Sequence, residues 1–262
     1  HVVFNLLEEF GDRGVGAAHL VGWLELVGRR YTGCRPMGMM LSFDKAMQRK
    51  ILRYHRVPCP EFAIFRRGRT IRRPGRLSFP LIVKALSLHG SIGIAHASVV
   101  HDDEALAERV RFMHEHAQDD VIAEEYVDGR EIYLGMIGNE RLETFPLYEL
   151  RIENLPEGAP RIATQKVKWD LAYQVRSGTV VGPAEDLEPL PEGVAERIAR
   201  IGRRAYRALE QTGYARLDLR LRPDGRVVLI ESNPNPQLSR DGEFALSAEA
   251  AGLDYDRLLA RI

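Results

Sequence analysis

Leu229-Ile230-Glu231-Ser232-Asn233-Pro234-Asn235-Pro236 is the stretch on which the reading of this chain turns, because an apolar strand ends there abruptly in oxygen-bearing side chains. Alternate residues of a strand point to the same side, so Glu231 and Asn233 present a carboxylate and an amide oxygen to one face. Immediately upstream, Tyr214 to Arg222 sets Leu217, Leu219 and Leu221 between Arg216, Asp218, Arg220 and Arg222, the period of a half-buried strand. Pro223-Asp224-Gly225 turns the chain between the two. The expected unit is a β-hairpin with one apolar face and one carrying Asp218, Glu231 and Asn233, oxygen donors of the kind a hard divalent cation takes against phosphates. An ordinary amphipathic hairpin with a solvated acidic face is the alternative. Register separates the two: a three-residue loop with Arg222 opposite Arg226 would place Asp218 opposite Ile230 and turn Glu231 away. A shared site requires Arg222 opposite Val227 across a four-residue loop, or a bulge that shifts the register by one.

The chain has 262 residues, enough for a sizeable core, and its Lys plus Arg and Asp plus Glu both number 37. Net charge therefore gives no case for nucleic acid or an anionic membrane, and any phosphate site must be local. Cys34 and Cys59 lack both the spacing of a zinc site and the density of a disulfide scaffold, which points to a reducing, cytoplasmic setting. No apolar run approaches the ~20 residues needed to cross a bilayer, and no charged-then-apolar leader opens the chain. His1 to Leu7 reads as a buried parallel strand entered mid-fold without an initiator Met, so the chain is expected to be the remainder of a longer protein.

Glu8 to Gly16 reads as a polar loop, and Ala17 to Val27 as a helix with Ala18, Val21 and Leu24 at helical spacing, together an α/β unit. After the turn-rich Tyr31 to Pro36, Ser42 is the expected N-cap of a helix with Met47, Ile51 and Leu52 on one side. Lys45 falls in its first turn, where a cation opposes the helix dipole; that is odd for a purely structural residue, a solvated lysine being the alternative. Phe62 to Phe65 and Phe79 to Leu86 are expected strands flanking an arginine-rich, hairpin-like loop from Arg66 to Arg76. That loop is read as a solvated, mobile tip, since no aromatic residue in it offers a base a stacking surface. Lys84 interrupts the second strand, where a lone ammonium is costly unless a ligand or carboxylate pairs with it. The Ser87 to Gly93 loop follows, and its Gly90 and Gly93 let backbone N–H groups approach phosphate oxygens, although it lacks a P-loop pattern. Asp102 caps an expected helix from Asp103 to Ala117 with Leu106, Val110 and Met113 inside. Strands are expected at Val121 to Val127, Glu131 to Ile137, near Glu143 to Leu150, and at Ile162 to Trp169. A strong amphipathic helix then carries Val194, Ile198, Ile201, Ala205 and Leu209.

In this order the residues resemble the ATP-grasp superfamily, and within it D-alanine:D-alanine ligases, over nearly the whole chain. The resemblance implies an α/β (α+β) ATP-grasp fold, two lobes clamping ATP. Residues 1–38 would be a remnant of an N-terminal α/β domain, 39–124 the central lobe, and 125–262 the C-terminal lobe with the metal site. Leu81-Ile82-Val83-Lys84 and the Gly90-Ser91 loop are similar to the family's phosphate lysine and glycine-rich lid, with Lys45 a further phosphate contact and His89 the lid's own histidine. Glu124-Glu125-Tyr126-Val127 and Glu131 match the adenine hinge and ribose-binding glutamate, although Glu125 stands where a lysine is usual. Lys168 falls where a lysine meets the terminal phosphate. Arg216 is implied as a catalytic arginine beside it, and Asp218, Glu231 and Asn233 as ligands of Mg²⁺ or Mn²⁺.

The resemblance further implies an ATP-dependent carboxylate–amine ligase working through an acyl phosphate. Its departures lie on the amino-acid side: Trp169 replaces a tyrosine, Gln237 a glycine and Gly242 a serine, so substrates other than paired D-alanine are expected. An ATP-dependent phosphotransferase, or a nucleotide-binding regulatory homologue without catalysis, are the alternatives. Implied partners are small carboxylate and amine substrates, amino acids or peptides, without nucleic acid or membrane. The implied assembly is open to a homodimer.

Overall fold

The computed structural model describes residues 1–10 and 14–262, so part of the loop expected from Glu8 to Gly16 lies outside the described residues. Among these, strand β1 (Val2–Val3) pairs in parallel with β2 (Arg30–Tyr31), helix α1 (Gly14–Leu26) lying between them in sequence. The apolar run to Leu7 predicts a longer, buried strand. Instead, Val2 is 58% and Leu6 64% exposed, because the ladder stops after two residues.

Pro36 opens helix α2 (Pro36–Phe43), and helix α3 (Lys45–Tyr54) follows after a single extended residue, Asp44. That residue, rather than the expected Ser42, is the cap of α3: its carboxylate accepts from the Met47 N–H at 2.9 Å, while Ser42 is buried in the last turn of α2. The face of α3 is also rotated from the expected one. Met47 is exposed, and the buried side carries Lys45, Gln48, Arg49 and Leu52, a mostly polar surface that only a polar interior could receive.

Strands β3 (Phe62–Phe65), β4 (Leu81–Ala85) and β5 (Val99–Val100), helix α4 (Asp103–His116) and strand β6 (Val121–Glu125) form the second layer, a sheet of order β3-β6-β4-β5. Asp102 caps α4 as expected, and Leu106, Val110 and Met113 pack on Leu81, Val83 and Val121. Because β6 lies between β3 and β4, the Arg66 to Arg76 segment is a crossover and not a hairpin. Nor is it a free tip: Arg67 N–H and the Arg66 guanidinium engage Asp120, and Arg73 binds Asp103 at 2.8 Å with its guanidinium over Phe79.

The third layer begins with β7 (Arg130–Ile137), entered through Gly129, where any Cβ would meet the Leu221 carbonyl at 2.3 Å. Strands β8 (Glu143–Thr144) and β9 (Tyr148–Ile152) divide what the sequence presents as one strand. The strand expected from Ile162 to Trp169 is absent: Thr164 accepts from the Val167 N–H and starts helix α5 (Gln165–Trp169), and Asp170 then caps α6 (Leu171–Ser177). Strand β10 (Thr179–Pro183), helices α7 (Ala184–Leu187) and α8 (Val194–Ala208), strands β11 (Tyr214–Leu221) and β12 (Val227–Asn233), and helices α9 (Glu243–Ala250) and α10 (Tyr255–Arg261) complete the chain. The antiparallel sheet runs β10-β9-β7-β11-β12, with β8 also paired to β7. Its apolar face, including Leu134, Leu217, Leu219 and Leu229, is covered by Ile198 and Ala205 of α8. Helix α3 contributes Leu52 to the same cluster. Among the described residues no helix is long and apolar enough to cross a membrane.

Candidate active site

The hairpin solves its register problem by the second of the two expected routes. Arg222 N–H bonds the Arg226 carbonyl across a tight Pro223-Asp224-Gly225 loop, and the pairing continues to Leu219 opposite Leu229. There the register shifts, leaving Ile230 as an extra residue, and Asp218 comes to lie opposite Glu231 and Arg216 opposite Asn233. The bulge thus keeps Leu229 in the core while turning Glu231 onto the polar face.

Asp218 is 5% exposed and takes a bidentate contact from Arg216, Nε to Oδ1 at 2.8 Å and Nη2 to Oδ2 at 3.0 Å. Arg216 also reaches Glu243 at 3.4 Å and lies over the Tyr133 ring at 4.9 Å. Burial pushes the Asp218 carboxyl above the usual aspartate range despite the pull of Arg216. For Glu231 burial is outweighed by His89, Lys45 and Lys168, which together hold it well below the usual glutamate range. The Asn233 amide nitrogen is buried with no partner among the described residues. Among those residues no group of three or more His, Cys, Asp or Glu is placed to hold a metal. The donor set of the hairpin is two carboxylates and the amide oxygen of Asn233, a hard oxygen set that fits Mg²⁺ or Mn²⁺ better than a soft metal.

Three further buried cations belong to the site. Lys45, at the start of α3, donates to the Leu88 carbonyl; its burial lowers its pKa, with Glu231 opposing that shift. Lys84 donates to Glu124 Oε2 at 2.8 Å, and Arg49 donates from Nε to Glu124 Oε1 at 2.5 Å. Glu124 is the carboxylate that Lys84 required in an apolar strand. Burial raises its pKa, but Arg49 and Lys84 together bring it from the usual 4.5 down to about 2. Its side chain is committed, so what it leaves to a ligand is backbone. Glu125 faces elsewhere and accepts from the Ser78 N–H at 2.9 Å. Val127 is buried. Glu131 accepts from Arg220 at 2.7 Å and from the Tyr133 hydroxyl at 2.9 Å.

Two cavities meet at Lys168 and Glu231. One, of about 70 Å³, is lined by Lys84, Ser91, Glu131 and Asp218 together with Ile82, Ile94, Ile162, Leu219 and Ile230. The other, of about 550 Å³, contains Arg216, Asn233, Trp169, Gln237, Glu8 and Glu243. The loop carrying His89, Gly90 and Ser91 lies at both. Gly90 and Ser91 adopt φ of 64° and 61°, a left-handed pair that glycine accepts readily and serine does not. His89 contacts Glu231 Oε1 at 3.3 Å and the Phe43 carbonyl at 2.9 Å. Both partners are acceptors, so a neutral ring donates to one of them and only the imidazolium, which burial and Lys45 disfavour, donates to both.

Trp169 Nε1 donates to the Gly90 carbonyl at 3.0 Å although the ring is 61% exposed, so the residue acts as a clasp on the loop rather than as core. Trp169→Phe removes that donor. At about 1 kcal/mol for one net hydrogen bond, loop opening should rise about fivefold, read as faster amide exchange over residues 88–92 with little change in melting temperature. Unchanged exchange would remove the clasp.

Sequence reading missed Arg49, Gln48, Arg220 and Glu243. Arg49 had a signal, since it lies four residues after Lys45 and therefore on the same helical side.

Residues 51–262 match the family described as D-ala D-ala ligase C-terminus. The chain is 32% identical to the uncharacterized protein y4sG of Sinorhizobium fredii, over 98% of this chain and 72% of that protein. It is 30% identical to a D-alanine–D-alanine ligase of Bordetella petrii, over 100% of this chain and 74% of that one. A crystal structure of D-alanine–D-alanine ligase from Bacillus anthracis complexed with ATP superposes with a TM-score of 0.74 at 25% identity, covering 93% of this chain and 72% of that chain.

Proposed function

The chain belongs to the family of D-alanine–D-alanine ligases, ATP-grasp enzymes that form carbon–nitrogen bonds, and from that membership and the cleft just described we propose that it joins a carboxylate to an amine through an acyl phosphate. The observation that carries this reading is the bulged hairpin, which sets Asp218 opposite Glu231, with Lys168 lining both cavities.

The nucleotide enters the smaller cavity, its base between the apolar faces of Ile82, Ile94, Ile162, Leu219 and Ile230, with Glu131 taking the ribose; Val127 is assigned to the hinge by the family resemblance. At about 70 Å³ that space is too small for a whole nucleotide, so the Gly90–Ser91 loop lifts before it binds. Asp218, Glu231 and Asn233 would hold Mg²⁺, which when bound would supply charge neutralisation on the phosphates. Lys45, Lys84 and Lys168 offset the remaining negative charge as the terminal phosphoryl group passes to the substrate carboxylate. The larger cavity takes the two organic substrates. Arg216, held rigid by Asp218 and Glu243, faces the acyl group and steadies the oxyanion that forms when the amine attacks. Phosphate then leaves with the electron pair of the broken C–O bond, and the amine loses a proton to give the amide.

Trp169 and Gln237 line the larger cavity and, with Gly242, stand where the family resemblance places the amino acids, and we assign the chain amino-acid or peptide substrates other than paired D-alanine. Measuring ADP release across a panel of amino acids and dipeptides tests this. D-alanine alone is expected to be a poor substrate. Efficient D-alanyl-D-alanine formation sinks the substrate assignment, a stable phosphorylated product replaces the ligase by a phosphotransferase, and no nucleotide turnover with any carboxylate and amine pair favours a regulatory homologue.

A further inference from the structure

Strand β12 is the edge of its sheet, and its outer rim needs partners that no neighbouring strand supplies. They come from α3 and the segment after it. The Leu229 N–H bonds the Pro58 carbonyl at 2.8 Å, the Arg49 guanidinium donates to the Ile230 carbonyl, and Gln48 Nε2 donates to the Ser232 carbonyl at 3.4 Å. The last two carbonyls belong to the residues on either side of Glu231. Gln48 and Arg49 are further joined to each other, Arg49 Nη1 to Gln48 Oε1 at 3.0 Å. Behind them Gln211 bridges the hydroxyls of Ser42 and Ser232 at 2.9 and 3.0 Å, so the arrangement is buried and hydrogen-bonded on all sides. The third arm of the same guanidinium holds Glu124, whose other oxygen holds Lys84.

We infer that Gln48 and Arg49 form a side-chain clamp that fixes the bulge at Ile230, and that Arg49 thereby sets two things at once: the aim of Glu231 at the cation and, through Glu124, the aim of Lys84 at the phosphates. Both are positioning residues, since neither lines the cavities. The clamp rests on the proposed reading of Glu231 as a cation ligand and Lys84 as a phosphate contact. Its physical basis is that a bulged residue has no ladder partner for its carbonyl and would otherwise be free to relax into the regular register, which turns Glu231 away from Asp218. A planar guanidinium can serve a carboxylate and a carbonyl together, whereas an ammonium at the end of a lysine chain serves one point.

Arg49→Lys separates the two arms. Its charge still neutralises Glu124, so nucleotide affinity stays close to that of the unmodified chain, while the Ile230 carbonyl loses its donor. Titrating Mn²⁺ by electron paramagnetic resonance in the presence of a non-hydrolysable ATP analogue should then show affinity reduced by about 10-fold or more, the range for residues that orient metal ligands. Amide exchange over residues 230–233 should accelerate in the same variant without metal, and Gln48→Met should reproduce that acceleration with Glu124 untouched. A folded Arg49→Lys protein with unchanged Mn²⁺ affinity and unchanged exchange overturns the clamp, and so does a loss of melting temperature alone. If the unmodified chain binds no Mn²⁺ with the analogue, the ligase reading fails instead, and exchange over residues 230–233 still decides whether the clamp exists.

Discussion

Asp218→Asn and Glu231→Gln are each expected to lower ATP-dependent product formation by on the order of 10³-fold, the upper end of what removal of one preorganised electrostatic contact costs. In the absence of metal both should lower stability, because each removes a counter-charge from a buried cation. Burial raises the Asp218 pKa, but the same carboxylate raises the buried Arg216 well above its usual range, and its loss leaves that guanidinium with Glu243 at 3.4 Å. Asp218→Asn should therefore melt below the unmodified chain. Glu231 is held below its usual pKa by His89, Lys45 and Lys168 against the opposing effect of burial, so its charge is stabilising. Removing it leaves Lys45 buried with one counter-charge fewer, and Glu231→Gln should melt lower. Calorimetry in chelator and a coupled ADP assay check both. Undiminished turnover in either variant removes the metal assignment, and an unchanged melting temperature in both removes the electrostatic account.

The second large effect belongs to Glu124. Glu124→Gln leaves Arg49 and Lys84, side chains 1% and 11% exposed, without the carboxylate between them. Breaking one partner out of a buried ion cluster costs about 3–5 kcal/mol, which in a protein of this size corresponds to a melting temperature lower by roughly 10 °C. The sign of the pH dependence follows from the direction of the shift. The folded pKa of about 2 lies below the usual 4.5, so the contribution of Glu124 is fully present above pH 4.5 and is lost as pH falls through 2. The stability curves of the unmodified chain and the variant should then converge as pH drops across that window. Parallel curves would show that the carboxylate is not the stabilising element.

Much of the cleft was legible because its residues break local rules. Lys84 in an apolar strand demanded a partner, and the alternation from Arg216 to Arg222 put Asp218 on the face opposite Leu217 and Leu219. The bulge was foreseen only as one of two ways to satisfy the register, since nothing in Leu229-Ile230-Glu231 distinguishes a bulged strand from a straight one. Arg49 escaped notice because its partners, Glu124 and Ile230, lie far away in sequence. The segment from Ile162 to Trp169 misled through its own alternation: Ile162, Thr164 and Lys166 mimic a period of two, but Thr164 is a better helix cap than strand residue once Val167 is there to donate. The same competition between capping groups moved the start of α3 from Ser42 to Asp44. Register across strands and the choice among rival caps are settled by tertiary packing, which a single sequence does not display.

Helix α3 is made early and completed late. Its Leu52 belongs to the core cluster that also contains Leu217 and Leu229, and Leu229 follows it by 177 residues. At about 5–20 residues per second of synthesis, α3 waits on the order of 10–30 s for the strands that cover it. During that interval Leu52 has no apolar neighbour from β11 or β12, and the buried arms of Gln48 and Arg49 have no carbonyls to bind. A nascent chain halted before Val227 is therefore expected to expose α3 to chaperones or to aggregation, and shortening the chain at its last hairpin should damage a helix near its beginning.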